Sequence, residues 1–163
     1  MRIHLSLLIA CTALTLPACN TDHEVDGHEH ADGESGHIHD APHAHAGGML
    51  VELGEHLVQM EVVPDLETGE LGLFFWDGHA ENPVRLTQTS LQLALTVAGV
   101  TTELALSAQA STLTGETVGD SAEFRGKHAE LKGATEFHAV VHQLDALGAS
   151  FESVSFDYSR GDN

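Results

Sequence analysis

Apolar side chains recur at every second position in several short stretches of the chain. In LQLALTVAG, Leu91, Leu93, Leu95 and Val97 face one way, and Gln92, Ala94 and Thr96 face the other. TTELALSA repeats the alternation with Leu104 and Leu106 inward, and FESVSFDYS repeats it with Val154, Phe156 and Tyr158 on one face. A period of two marks a strand buried on one side. VELGEHLVQMEVVPD, LGLFFWDG and FHAVVHQL also have strand-like spacing, punctuated by turn formers at Gly54, Asp65 to Gly69, Asp77-Gly78 and Asp145 to Ala149. LTGETVGDSAEFRGKHAELKGA is dense in turn residues and reads as a loop with one short helical turn at 128–131. No segment keeps a helical period beyond two turns. The pattern predicts an all-β domain over 49–163 with about seven strands. The expected architecture is a single antiparallel β-sandwich, immunoglobulin-like in outline, with a small barrel as the alternative. Leu86 to Leu106 should form the centre of the core, with Trp76 and Tyr158 as core aromatics whose polar tips reach the rim.

The chain ahead of residue 49 has none of this alternation. MRIHLSLLIACTALTLPACN opens with a cation, Arg2, followed by a short apolar run from Leu5 to Leu16 and a small residue before Cys19. That order marks a targeting segment. The LPAC ending resembles a bacterial lipobox, which implies a signal peptide over 1–18 and lipidation of Cys19. LIAC at 8–11 would leave a very short signal, and a plain secretory signal is the blander alternative. Once the signal is removed, Cys19 is the only cysteine, which excludes an intramolecular disulfide, a zinc ribbon and thioredoxin-like chemistry. Residues 19–48 are mostly Asp, Glu, His, Gly and Ala, too polar to offset the entropy of ordering, and are expected to be a disordered tether.

Charge narrows the choice of partner. With 25 Asp and Glu against 6 Lys and Arg, the chain should repel nucleic acid and attract cations. The tether carries three His-x-His units, His28/His30, His37/His39 and His43/His45. In extended chain both rings of such a unit lie on one side of the backbone, and imidazole nitrogen suits zinc, copper(II), cobalt and nickel. In the body, His56 is expected at the start of a strand, on the face of Val58, Met60 and Val62 and opposite Glu61. His79 sits in a turn, WDGHAENP, beside Asp77 and Glu81. His56 and His79 are the body residues expected to complete a metal site. His138 and His142 would stand about 13 Å apart on one strand face, too far to chelate together. His128 falls in the loop region. The chain contains no G-x-S-x-G, phosphate loop or H-E-x-x-H, so an enzyme is not expected.

HAHAGGMLVELGEHLVQMEVVPDLETGELGLFFWDGHAENPVRL resembles small His-rich exported lipoproteins of planctomycete-like bacteria. It also resembles the N-terminal metal-binding extension of some periplasmic adaptor subunits of heavy-metal efflux pumps. The likeness rests on the His-rich lead, the Gly-Gly before the first strand, the G-x-H-x-x-x-x-E strand and the later Asp-Gly turn. It covers residues 39–86 and continues more weakly through FHAVVHQLDALGASFESVSFDY. It singles out His43, His45, Gly47, Gly48, Gly54, His56, Glu61, Asp77 and Pro83, and it implies metal handling in the periplasm. The long helical hairpin of such adaptors is not in this sequence, so the implied role is accessory or sensory.

Together these readings predict a lipid-anchored, periplasm-facing protein that binds a divalent transition metal: zinc, copper, cobalt or nickel. It would act as a buffer or as an accessory to a heavy-metal efflux system or other envelope protein. Asn20, rather than Asp, follows the lipidated cysteine and favours the outer membrane. The alternative is a sandwich that binds a partner protein, with the tether as a passive hydrophilic spacer.

Overall fold

The computed structural model describes residues 41–161. The expected signal, Cys19 and the His28/His30 and His37/His39 pairs lie outside the described residues. Eight strands follow in order: β1 (Met49–Leu53), β2 (Val58–Asp65), β3 (Glu70–Asp77), β4 (Ser90–Val97), β5 (Val100–Ala108), β6 (Glu123–Lys127), β7 (Glu136–Ala146) and β8 (Ala149–Ser159). One turn of 3-10 helix, Ala129–Leu131, falls within the helical turn expected at 128–131.

All eight strands belong to one antiparallel sheet in the order β1-β2-β3-β6-β5-β4-β7-β8. The hairpins β1-β2, β2-β3, β4-β5 and β7-β8 join neighbours. The links from β3 to β4 and from β6 to β7 each pass over two strands, which makes two overlapping Greek keys. The sheet curls until its two edges approach: a Cβ on Gly54, at the end of β1, would lie 2.9 Å from the Phe151 ring of β8. The domain is thus a nearly closed barrel.

This corrects the β-sandwich. Strands of a sandwich and of a barrel both alternate one face in and one face out, so periodicity does not separate them. The deciding element is β6, which the turn-rich loop concealed. It pairs Phe124 with Leu73 of β3 on one side and with Ala108 of β5 on the other, joining what would otherwise be two sheets. Only Phe124 within β6 points into the core, where its ring meets Phe75 edge-on at 5.8 Å. On the outer face Arg125 binds Glu70 and Glu123 and lies over the Phe74 ring.

The interior is filled as the alternation predicts. Leu86, Leu91, Leu93, Leu95, Leu104 and Leu106 are all buried, together with Val58, Met60 and Val62 of β2. Tyr158 packs against this core, stacked on Phe137 at 5.0 Å. Trp76 does not join it; it lies half-buried on the outer face of β3. Two tight hairpins turn on paired positive-φ residues, Ala98-Gly99 and Leu147-Gly148, which match the right-handed twist of the flanking strands.

Gly126 is where β6 comes closest to β5: a Cβ there would lie 2.4 Å from the Ala105 carbonyl oxygen and 2.7 Å from Leu106. Gly126→Ala is expected to cost about 1–3 kcal/mol through forced separation of the two strands. A lowered urea midpoint would show this, and an unchanged midpoint would mean that β6 does not close the sheet.

Candidate functional site

The outward positions of β2 are Gln59, Glu61 and Val63, alternating with the core residues Val58, Met60 and Val62. On an uncovered barrel they would face water. Yet Glu61 is 0% exposed and Gln59 is 3% exposed. Gln59 is met by the loop after β3, its side-chain amide donating to the Gly78 carbonyl at 3.4 Å, and the cover of Glu61 is the segment His45 to Gly48, which composition assigns to the tether. Its backbone converges on the Glu61 carboxylate. The amides of Ala46 (2.7 Å) and Gly48 (3.0 Å) donate to Oε1, and the amide of His45 (3.1 Å) donates to Oε2. The Trp76 indole N–H donates to Oε2 as well, at 3.1 Å. Four N–H donors replace the water that a carboxylate loses on burial, which is the condition for tolerating it there.

The glycines make this approach possible. A Cβ on Gly48 would sit 2.4 Å from the Val62 carbonyl oxygen and 2.7 Å from Val63. Gly47 adopts φ +77°, where a side chain is strained. The Gly-Gly thus seats a backbone strap directly on the outer face of β2.

A second clamp comes from the loop after β3. His45 stacks on Trp76, with ring centroids 4.3 Å apart and planes 26° apart, and its Nε2 bonds the Ala80 carbonyl. Asp77 shapes that loop, its carboxylate accepting from the Glu81 amide (2.8 Å) and the Asn82 side-chain amide (2.6 Å). The Asn82 bond is the main reason the Asp77 carboxyl titrates below its ordinary value of 3.8; partial burial opposes it. Pro83 closes the loop by bridging to Trp76. Gly78 abuts the His56 carbonyl oxygen, leaving no room for a Cβ, so the loop touches both His45 and the β1-β2 turn.

The sequence candidates divide accordingly. His43 and His45 come together, with ring centroids 5.4 Å apart, and both are exposed. His56 does not begin a strand. It sits in the β1-β2 turn at φ +68°, with Nδ1 2.9 Å from Glu52. The turn forms there because Gly54, Glu55 and His56 all adopt positive φ, which ends the strand alternation before Val58. His79 is exposed beside Ala80. His138 pairs with Asp157 and His142 with Glu103, each at 2.9 Å, on the outer face of the barrel. His128 caps the 3-10 turn. Among the described residues no three His, Cys, Asp or Glu side chains converge as a preformed metal site. The resemblance had named Glu61 but no role for it. Trp76 and the Ala80 carbonyl carried no signal beyond their proximity to the Asp-Gly turn.

Glu61→Gln changes little in shape, but it turns an N–H donor toward the strap amides. It should lower stability by about 1–3 kcal/mol and shift the emission of Trp76, the only tryptophan. Unfolding followed by fluorescence tests this, and a neutral substitution would mean that the strap does not depend on the carboxylate. Acid gives a second test. A folded-state pKa below 3.8 means that Asp77 stabilises the fold above that value and ceases to do so as the pH falls through the folded pKa. Asp65, held by Thr68, and Glu70, held by Arg125, act in the same direction. Asp77→Asn should therefore flatten the acid side of a plot of Tm against pH, whereas an unaltered acid limb would exclude Asp77 from it. No family model matches the chain, and no curated protein or solved structure matches it.

Proposed function

We propose that this is a lipid-anchored protein of the cell envelope that binds divalent transition metals (zinc, copper(II), cobalt or nickel) through imidazole. On this reading the chain is fixed to a membrane at Cys19, with the outer membrane preferred, and faces the periplasm. The His-x-His pairs capture the ion, and the barrel is a stable body from which they are presented. The action is coordination and release, as a buffer or as an accessory to metal efflux, and no bond in a substrate is broken.

The observation that supports this best is the His43/His45 pair. Two imidazoles on one tetrahedral ion, with metal–nitrogen bonds of about 2.0–2.1 Å, have ring centroids roughly 5 Å apart. The two rings lie stacked 5.4 Å apart with planes 29° apart, so a turn of the exposed His43 side chain is all that separates them from a shared ion. Both rings are exposed and so can be reached by an ion from solvent. The surplus of acidic over basic residues raises the local concentration of cations around them.

Calorimetric titration of the full chain with zinc chloride tests the reading. Substitution is preferable to truncation at Met49, because a cut there would remove the amides that hold Glu61. Replacing His28, His30, His37, His39, His43 and His45 by alanine is expected to abolish binding tighter than that of an isolated surface histidine. Retention of the wild-type isotherm by that variant would refute it.

A further inference from the structure

The third His-x-His pair differs from a pair in open chain, because the barrel has already set one of its rings. The Ala80 carbonyl can only accept a hydrogen bond, so Nε2 of His45 carries the proton. In the neutral ring this leaves the lone pair on Nδ1. The ring plane is fixed by the stack on Trp76 at 4.3 Å. The backbone on either side of Cα is fixed by the His45 and Ala46 amides, both bound to Glu61. Metal-ligating histidines commonly donate their second ring nitrogen to a backbone carbonyl or carboxylate, which sets tautomer and orientation before the ion arrives. His45 has that arrangement without any ion.

We propose that His45 is a preorganised ligand that takes a first-row divalent cation through Nδ1, with His43 as the second imidazole. Solvent completes the shell, since no third protein ligand converges among the described residues. The proposal rests on the metal-binding reading above and adds an atom, an order and a consequence. His45 is the entry ligand because its ordering cost is already met by folding. His43 is exposed and swings in second. Occupancy is communicated to the barrel, because the ion would sit on a ring in contact with Trp76, which in turn donates to Glu61. The donor set is imidazole without thiolate or thioether, which favours zinc, copper(II), nickel and cobalt over copper(I).

Trp76 is the only tryptophan and so reports on this site alone. The test uses the full chain with His28, His30, His37 and His39 replaced by alanine, titrated with copper(II) chloride while Trp76 emission is followed. One equivalent should quench most of the emission, and excess EDTA should remove the copper and restore it. His43→Ala in that background should weaken the copper affinity on the order of a hundredfold through loss of the chelate. His45→Phe keeps an aromatic ring on Trp76 and should abolish the quenching while leaving metal-free emission near that of the parent. If the wild-type chain binds copper by calorimetry but Trp76 stays unquenched, the metal-binding reading stands and this proposal falls. If the wild-type chain binds none, both fall. Quenching that survives His45→Phe would also overturn the assignment of His45.

Discussion

A carboxylate with no access to water holds the N-terminal strap to the barrel. Glu61 sits on the outer face of β2, where its neighbours in a plain barrel would be hydrated. Instead it accepts from three consecutive-region backbone amides and one indole N–H. All four partners are donors, so both carboxylate oxygens are used as acceptors. An unpaired carboxylate in the same place would cost several kcal/mol. Burial and hydrogen bonding therefore imply one another: the strap must be seated for Glu61 to be buried, and Glu61 must accept for the strap amides to leave water. Trp76 and the loop after Asp77 close the arrangement from the other side.

That constraint explains why residues that look unrelated in the chain belong together. Gly48 clears the path of the strap, Gly78 lets the loop meet the β1-β2 turn, and Pro83 and Asp77 hold the loop that carries Ala80. His45 lies where strap and loop meet, with its ring between an aromatic surface and a carbonyl. The residues that the sequence resemblance picked out around HAHAGG, GEH and WDG thus form one structural unit at one side of the barrel. At that place the fixed imidazole of His45 lies beside the exposed imidazole of His43. His43 and His45 are in this way held against the barrel rather than ahead of it.

Much of the fold could be read from side-chain periodicity, because the long strands bury one face. Leu91 to Val97 and Leu104 to Leu106 alternate cleanly and are buried as expected. The choice of the barrel over the sandwich could not be read, since its closure depends on β6, a five-residue strand with one inward side chain, and on pairing that leaves no mark in the alternation. The strand expected from His56 begins only at Val58 for a related reason: the positive φ of His56 interrupts a run whose composition looks continuous. The strap was invisible for a deeper one. It is held by backbone N–H groups, which nearly every residue possesses, so Ala46 and Gly48 give no hint of their partners. Trp76 lies outside the core that its size suggests, because a large aromatic side chain signals burial without saying on which side of the sheet.

Amide hydrogen exchange at His45, Ala46 and Gly48 measures the central constraint directly. If Glu61 seats the strap as described, these three amides exchange slowly, with protection approaching that of the β2 ladder, although they precede the first strand. Exchange at the rate of an open peptide would contradict the clamp, and with it the preset orientation of His45.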